Sequence, residues 1–276
     1  MITGGTGYIG TNLIRQLYKY ADSIILTKNI DYDSYYFSTL DNKKIDYSFF
    51  NKKDIVLIHL ATYYSKNKKD SKIIHLSNEL FGQKLLMTLF DFKLKKVIYS
   101  NTMFKYYSDD KIRSLEYTES KNNFSRFVEK ETSIRNIDFE EIFFDNSFGN
   151  YDTRNKAIPN ILNAVSINKP NPIKNHNRYI NLIHVEDIVE RIIISINSKN
   201  SNSSAFINED MVNLESIYNF LTNYKKNNEI KTELLKFCKN DYIKDCPSVN
   251  LSGIALKRLD YALTNELKYY ENRKFL

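Results

Sequence analysis

Four of the chain's seven glycines fall within its first ten residues, in the run Thr3-Gly4-Gly5-Thr6-Gly7-Tyr8-Ile9-Gly10. Such clustering has a use where a strand turns tightly into a helix. One glycine makes the turn, another lets the backbone approach a pyrophosphate, and the last allows close helix–strand packing. The helix N-terminus then offers amide N–H groups and a partial positive charge to the phosphates. The loop opens an amphipathic stretch with Ile9, Leu13, Ile14 and Leu17 on one face, and a strand follows at Ser23–Leu26. This context points to a site for an NAD-type dinucleotide, with Gly4, Thr6, Gly7, Tyr8, Ile9 and Gly10 as its contacts.

Strand-length apolar runs alternate with helical stretches through the first half. Strands are expected at Ile55–Leu60, Lys96–Ser100 and Glu141–Phe144, and helices near Ile73–Phe90 and Tyr117–Ile134. That alternation implies an α/β fold: a Rossmann-type, doubly wound parallel sheet with helices on both faces. Beyond Gly149 the pattern loosens around Pro159, Pro170 and Pro172. The expected division is a dinucleotide-binding domain of residues 1–145 plus about 179–198. A smaller C-terminal substrate-binding lobe then takes 146–178 plus 199–276.

The formal charge of +7 raises the question of nucleic acid. The lysines are scattered among Asn, Ile and Tyr, with no dense basic stretch carrying aromatics, so a nucleic-acid partner is not expected. No apolar run approaches the roughly 18 residues of a membrane span. Cys238 and Cys246 lack partners at metal-ligand spacing and read as thiols of a reducing cytoplasm; no metal is expected. The loop starts so early that no room remains for a secretory leader, which again points to the cytoplasm. It also leaves only Met1, Ile2 and Thr3 for a central strand, so a natural start upstream of Met1 is expected, and intact mass of the native protein tests it.

The Gly-x-x-Gly-x-x-Gly spacing, in the form Thr-Gly-Gly-Thr-Gly-Tyr-Ile-Gly, resembles the extended short-chain dehydrogenases/reductases, the NAD-dependent epimerase/dehydratase family that works on sugar nucleotides. Ile58-His59-Leu60-Ala61 resembles that family's cofactor-lining strand end, which implies cofactor contacts at Leu60 and Ala61 and a substrate contact at Thr62. Ile183-His184-Val185-Glu186-Asp187 is similar to its Ile-His-Val-x-Asp segment. Within apolar strands, His59 and His184 read as satisfied core residues.

The family's chemistry rests on Tyr-x-x-x-Lys, which occurs here four times: Tyr64/Lys68, Tyr107/Lys111, Tyr117/Lys121 and Tyr270/Lys274. Tyr64/Lys68 comes too early, Tyr270/Lys274 lies in the tail, and Tyr107/Lys111 encloses a turn-forming Ser-Asp-Asp. Tyr117/Lys121 opens a helix after the right strand and puts both side chains on one face. Lys121 then favours the phenolate of a tyrosine whose unperturbed pKa is about 10, and it also reaches the cofactor. By resemblance to the family's Ser-Ser-Ser/Thr segment, Thr102 is the catalytic hydroxyl, which also contacts substrate, and Ser100 lies nearer the cofactor.

The short gap from Thr102 to Tyr117, and Phe148-Gly149-Asn150-Tyr151-Asp152, are most similar to the CDP-abequose and CDP-paratose synthases, sugar-nucleotide 4-ketoreductases. Met103 and Phe104 stand where the family's dehydratases carry an Asp-Glu pair, which argues against water elimination. The second strand ends Leu26-Thr27-Lys28 with no acid for a ribose 2′-hydroxyl, so NADP(H) is favoured at Thr27 and Lys28. NAD(H) stays possible, because Asp31 or Asp33 can supply the acid. Asp46 is a further cofactor contact, to the adenine amine. Asn146 and Arg178 are candidates for the substrate diphosphate, although the family carries an Arg-Asp pair where this chain has Ile180-Asn181.

The expected activity is NADPH-dependent reduction of a keto group on a nucleotide-activated (deoxy)hexose for surface polysaccharide synthesis. The alternatives are a nucleotide-sugar 4-epimerase with bound NAD and a non-catalytic NAD(P) sensor. The family also implies a homodimer.

Overall fold

In the computed structural model, residues 1–17, 25–26, 53–65, 67–107, 115–150, 152–175, 177–199, 203–206, 208, 210–239 and 257–273 are described. Thr27, Lys28, Asp46 and Cys246 lie outside them. In chain order the elements are β1 (Ile2–Thr3), α1 (Tyr8–Leu17), β2 (Ile25–Leu26), β3 (Ile55–His59), α2 (Ser71–His75), α3 (Phe81–Leu89), β4 (Leu94–Thr102), α4 (Leu115–Ile134) and β5 (Asp138–Phe144). There follow β6 (Asn146–Phe148), α5 (Ala157–Ser166), β7 (Tyr179–Ile180), β8 (Leu182–His184), α6 (Val185–Asn197), β9 (Ser204–Phe206), β10 (Asp210–Asn213), α7 (Leu214–Asn227), β11 (Phe237–Lys239) and α8 (Leu259–Asn272).

The described residues form two compact units, within Met1–Phe144 and Val189–Ala205, and within Asp145–Ile188, Phe206–Asp241 and Leu251–Leu276. In the first, the strand order is β2-β1-β3-β4-β5-β9. The pairs β1–β2, β1–β3, β3–β4 and β4–β5 are all parallel. This is the Rossmann-like sheet expected from the alternating pattern. Strands β3, β4 and β5 are largely buried on both faces because helices flank the sheet. Leu57, Val97, Tyr99, Leu86, Leu89, Phe124 and Val128 make one core cluster between strands and helices.

Two buried carboxylates on β5 face opposite ways, as the two-residue period of a strand requires. Glu140, wholly buried, accepts from Lys96 Nζ (2.8 Å), Arg191 (2.5 Å) and Ser195 Oγ (2.6 Å). Glu141 instead meets Ser125 on α4. The first network ties β4 and β5 to α6, and Arg191 also donates to Ser204 Oγ at the start of β9.

The second unit is built on two small sheets, antiparallel β11-β10-β7 and parallel β6-β8. A core of Ile161, Leu162, Ile217, Phe220, Leu263 and Leu267 joins α5, α7 and α8. Asn213 caps α7, its Oδ1 accepting from Ser216 N at 2.9 Å. The division differs from the expected boundaries, most of all in the middle of the chain. Residues 179–188 fall in the second unit because β7 and β8 pair with β10 and β6, and residues 199–205 fall in the first because β9 extends the large sheet.

Candidate active site

At the end of β1 the chain turns at Gly4 (φ +68°), and Gly7 N donates to Gly4 O at 2.9 Å before α1 begins at Tyr8. A Cβ on Gly4 would stand 2.7 Å from Ala61 N, and one on Gly10 would stand 2.3 Å from Gly4 O. Both glycines are therefore required by the backbone itself, one for a left-handed turn against the β3 end and one for loop–helix packing. Thr6 and Gly7 form the exposed tip of the turn at the start of α1. A bare, exposed backbone turn ahead of a helix N-terminus suits a pyrophosphate, so the residues present fit a dinucleotide. Gly4→Ala is expected to weaken NADH or NADPH binding at least about tenfold, since strain of roughly 1–3 kcal/mol must be relieved by moving the loop; fluorescence titration of the reduced cofactor measures it.

The β3 end is fixed to the same turn. Leu60 N donates to Thr3 O, and Ala61 N to Thr3 Oγ1, both at 3.2 Å. Thr3 Oγ1 is also 3.0 Å from His59 Nδ1. His59 is only half satisfied: its buried Nε2 has no hydrogen-bond partner among the described residues. The ring sits 4.8 Å from that of Phe124 and 5.8 Å from that of Tyr99. Desolvation, with the Lys121 charge adding to it, pushes its pKa down to about 3, so the imidazole is neutral.

Thr102 is the last residue of β4, and α4 carries Tyr117 and Lys121. Thr102 Oγ1 accepts from Phe104 N at 3.2 Å, capping the short turn after the strand. Ser100 Oγ donates to His59 O at 3.3 Å, and Ser100 O accepts from Lys121 Nζ at 2.6 Å. Lys121 is buried, with Nζ 4.5 Å from the centre of the Tyr99 ring. Desolvation lowers its pKa to about 7, and the Glu141 charge opposes the fall.

Tyr117 departs from the sequence expectation. Desolvation around its hydroxyl pushes the pKa up to about 12, against the opposing hydrogen bond of Thr62. Lys121 is tied instead to Ser100 O, so in this arrangement its charge does not draw the phenol toward the phenolate.

Two residues that sequence reasoning left out belong to this cluster. Tyr64, passed over because of its position, packs its ring edge-on against Tyr117 at 5.0 Å, and Phe104 lies 6.4 Å from Tyr117. Asn78 is the second. Its Oδ1 accepts from Tyr63 N (2.7 Å) and Thr62 Oγ1 (3.2 Å), while Nδ2 donates to Tyr63 O and to Ser120 Oγ, both 3.0 Å. Ser120 Oγ in turn donates to Tyr117 O at 2.8 Å. Asn78 thus links the segment after β3 to the first turn of α4. It sits in a π-helical turn, Leu76–Leu80, between α2 and α3.

Asn146 and Arg178 belong to the second unit. Asn146 Nδ2 donates to Asp145 Oδ1 (2.7 Å) and Asn181 O (3.2 Å). Arg178 is exposed, and its carbonyl accepts from Leu214 N. His184 is a satisfied core residue as expected, between Glu186 N and Glu266 Oε1. Tyr270, from another of the Tyr-x-x-x-Lys pairs, donates to Asp152 O and has a structural place.

A Rossmann-like sheet with a glycine turn fitted to a dinucleotide, and hydroxyl, tyrosine and lysine side chains at the neighbouring strand end, defines the class of nucleotide-cofactor-dependent enzymes. The model of the "NAD dependent epimerase/dehydratase family" matches residues 1–208, and the chain belongs to that family. The CDP-abequose synthase of Salmonella muenchen is 26% identical over 200 residues, 68% of this chain and 67% of that protein.

Among solved structures, the UDP-N-acetylglucosamine 4-epimerase of Methanobrevibacter ruminantium M1, in complex with UDP-N-acetylmuramic acid, matches with a TM-score of 0.76 at 15% identity, over 99% of this chain and 97% of that one. The UDP-N-acetylglucosamine 4-epimerase of Bacillus cereus gives 0.74 at 16%, over 99% and 94%. The Bordetella bronchiseptica enzyme WbmF in complex with NADH gives 0.72 at 18%, over 100% and 92%. These share the fold. No helix among the described residues is long and apolar enough to cross a membrane.

Proposed function

We propose that this enzyme reduces a keto group on a nucleotide-activated hexose, with NADPH as the favoured cofactor. The observation that carries the reading is the surroundings of Thr102. Met103, which follows it, is buried, and Phe104 packs toward Tyr117, so no carboxylate follows the hydroxyl to eliminate water. What remains is a phenol, a hydroxyl and a lysine at one strand end, which is the equipment for moving one proton at a carbonyl oxygen.

Gly4, Thr6, Gly7, Tyr8, Ile9 and Gly10, with Leu60, Ala61, Ser100 and Lys121, would hold the dinucleotide. When bound, it supplies the hydride. Thr102 donates a hydrogen bond to the substrate oxygen, and Tyr117 donates the proton that the alkoxide takes up. Tyr117 is held as the protonated phenol, the form that a reduction consumes. Lys121, anchored on Ser100 O, holds positive charge at the same strand end. Thr62, bonded to Tyr117, with Asn146 and Arg178, would contact the nucleotide sugar. The likeness to a CDP-abequose synthase favours a CDP-linked sugar, and the end of the second strand at Thr27-Lys28 favours NADPH.

A second reading, 4-epimerisation with retained NAD, is favoured by the fold likeness to 4-epimerases. The two separate in one assay. Purified enzyme with CDP-, UDP-, GDP- and dTDP-linked 4-keto sugars and NADPH is expected to consume stoichiometric cofactor with one of them. Epimerisation of a 4-hydroxy sugar without net cofactor consumption would overturn the reductase reading. A homodimer is part of the same proposal, on the family resemblance; exposed Ile73 on α2, Leu76 in the turn after it and Met87 on α3 are apolar surface open to a partner.

A further inference from the structure

Glu141 is a buried carboxylate that the proposed reaction leaves unused. From β5 it accepts a hydrogen bond of 2.5 Å from Asn101 Nδ2 and another from Ser125 on α4. Asn101 Oδ1 accepts from the backbone N–H of Thr102 at 2.7 Å. One amide side chain thus joins this carboxylate to the residue bearing the site's hydroxyl.

On its outer side Glu141 borders a cavity of about 300 Å³, also lined by Lys105, Asn122, Ser125, Arg126 and Glu129. The buried Oδ1 of Asn122 has no hydrogen-bond partner among the described residues, so the cavity has polar lining to spare. Lys105 from the turn after β4 and Lys121 from α4 are the cations that act on Glu141, and both favour its ionised form. Arg126 and Glu129 of α4, further round the cavity, carry opposite charges. From β4, Tyr99 stands on the same face, its hydroxyl donating to Lys121 O.

We propose that Glu141 is a positioning residue of this site: through Asn101 it fixes the strand end that presents Thr102, and its carboxylate is the countercharge that keeps Lys121 an ammonium. The inference rests on the reading of Thr102, Tyr117 and Lys121 as the reacting group. Lys121 has little else to hold its charge. It is buried against the Tyr99 ring and bonded to one carbonyl oxygen, and burial alone would drive it toward the neutral amine. A carboxylate across the sheet surface offsets that loss without touching substrate or cofactor. Burial raises Glu141's own pKa above the usual carboxylate range, and the two hydrogen bonds and the two lysines limit that rise.

The test titrates Lys121 directly, in cofactor-free protein, by the ¹³Cε resonance of labelled lysine. A lysine titrating near neutrality stands apart from ordinary ones, and its loss in Lys121→Met assigns it. In Glu141→Gln the midpoint is expected to fall by about one unit, a tenfold drop in the protonated fraction above it. The basic limb of kcat/KM should move with it. Glu141→Met, which fills similar volume without a polar group, covers the case in which the glutamine is not tolerated. Its Thr102 amide resonance should also shift as Asn101 loses its anchor. A Lys121 midpoint unchanged in whichever variant folds would overturn the proposal. Because the titration needs no substrate, failure to turn over any nucleotide sugar would count against the function proposed above and leave this result standing.

Discussion

Tyr117→Phe is expected to lower kcat by about 10²- to 10⁴-fold, the usual contribution of a positioned proton donor. The substitution removes one oxygen and leaves the ring against Tyr64 and Phe104, so the packing that orients α4 survives. Cofactor affinity should stay within about twofold, because the loss is confined to an interaction made in the transition state. The pH dependence has a defined sign. With its pKa pushed up to about 12, Tyr117 is a phenol throughout the neutral range and adds no limb of its own there. Activity should instead fall as pH rises through the Lys121 pKa near 7, as the ammonium is lost. Steady-state rates at saturating nucleotide sugar, from pH 5.5 to 9, provide both tests. A variant that keeps a third of the wild-type rate would remove Tyr117 from the chemistry.

The largest effect on stability is expected from Glu140→Ala, at about 3–5 kcal/mol in urea denaturation. Glu140 itself is wholly buried, and the side chain opposite, Lys96, is 4% exposed. Deleting the carboxylate removes the anion that Lys96 and Arg191 share and frees Ser195 Oγ as well. The cost is that of two cations left in a low-dielectric interior, more than the value of the bonds themselves. The double change Glu140→Leu with Lys96→Met should therefore recover much of the loss. A single variant within about 1 kcal/mol of wild type would mean that water reaches this network freely.

The glycine turn was legible because its constraint is local: the left-handed φ at Gly4 and the contact at Gly10 are set by neighbouring backbone. The parallel sheet was legible from its rhythm, and β4 and β5 run only a few residues beyond the expected spans. What could not be read were side chains whose meaning depends on a distant element. Tyr64 follows β3 closely and looked misplaced, yet the chain after β3 folds back to meet α4. Asn78 is one asparagine among many, and nothing in its neighbourhood announces a partner 42 residues away.

Nothing in the sequence marked Lys96, Glu140 and Glu141 as buried. In a sheet covered on both sides a charged strand residue is buried wherever it points, so alternation says nothing about exposure. The Tyr117–Lys121 pair was chosen by position, but the burial that raises the phenol's pKa, and the bond that turns Lys121 to Ser100 O, were not legible.

The π-helical turn at Leu76–Leu80 has a bearing on how this chain is compared with others. A wide turn places one more residue in the coil than a regular helix of the same rise, so positions before and after it are out of phase by roughly 100°. Aligned without a gap, a relative whose helix is regular here would set the wrong residue opposite Asn78, and Glu79, with its quite different surroundings, would stand in for it. The helix has to be compared with one gap inside the turn, and only then do the residues that touch the Thr62–Tyr63 segment and α4 fall into the same column.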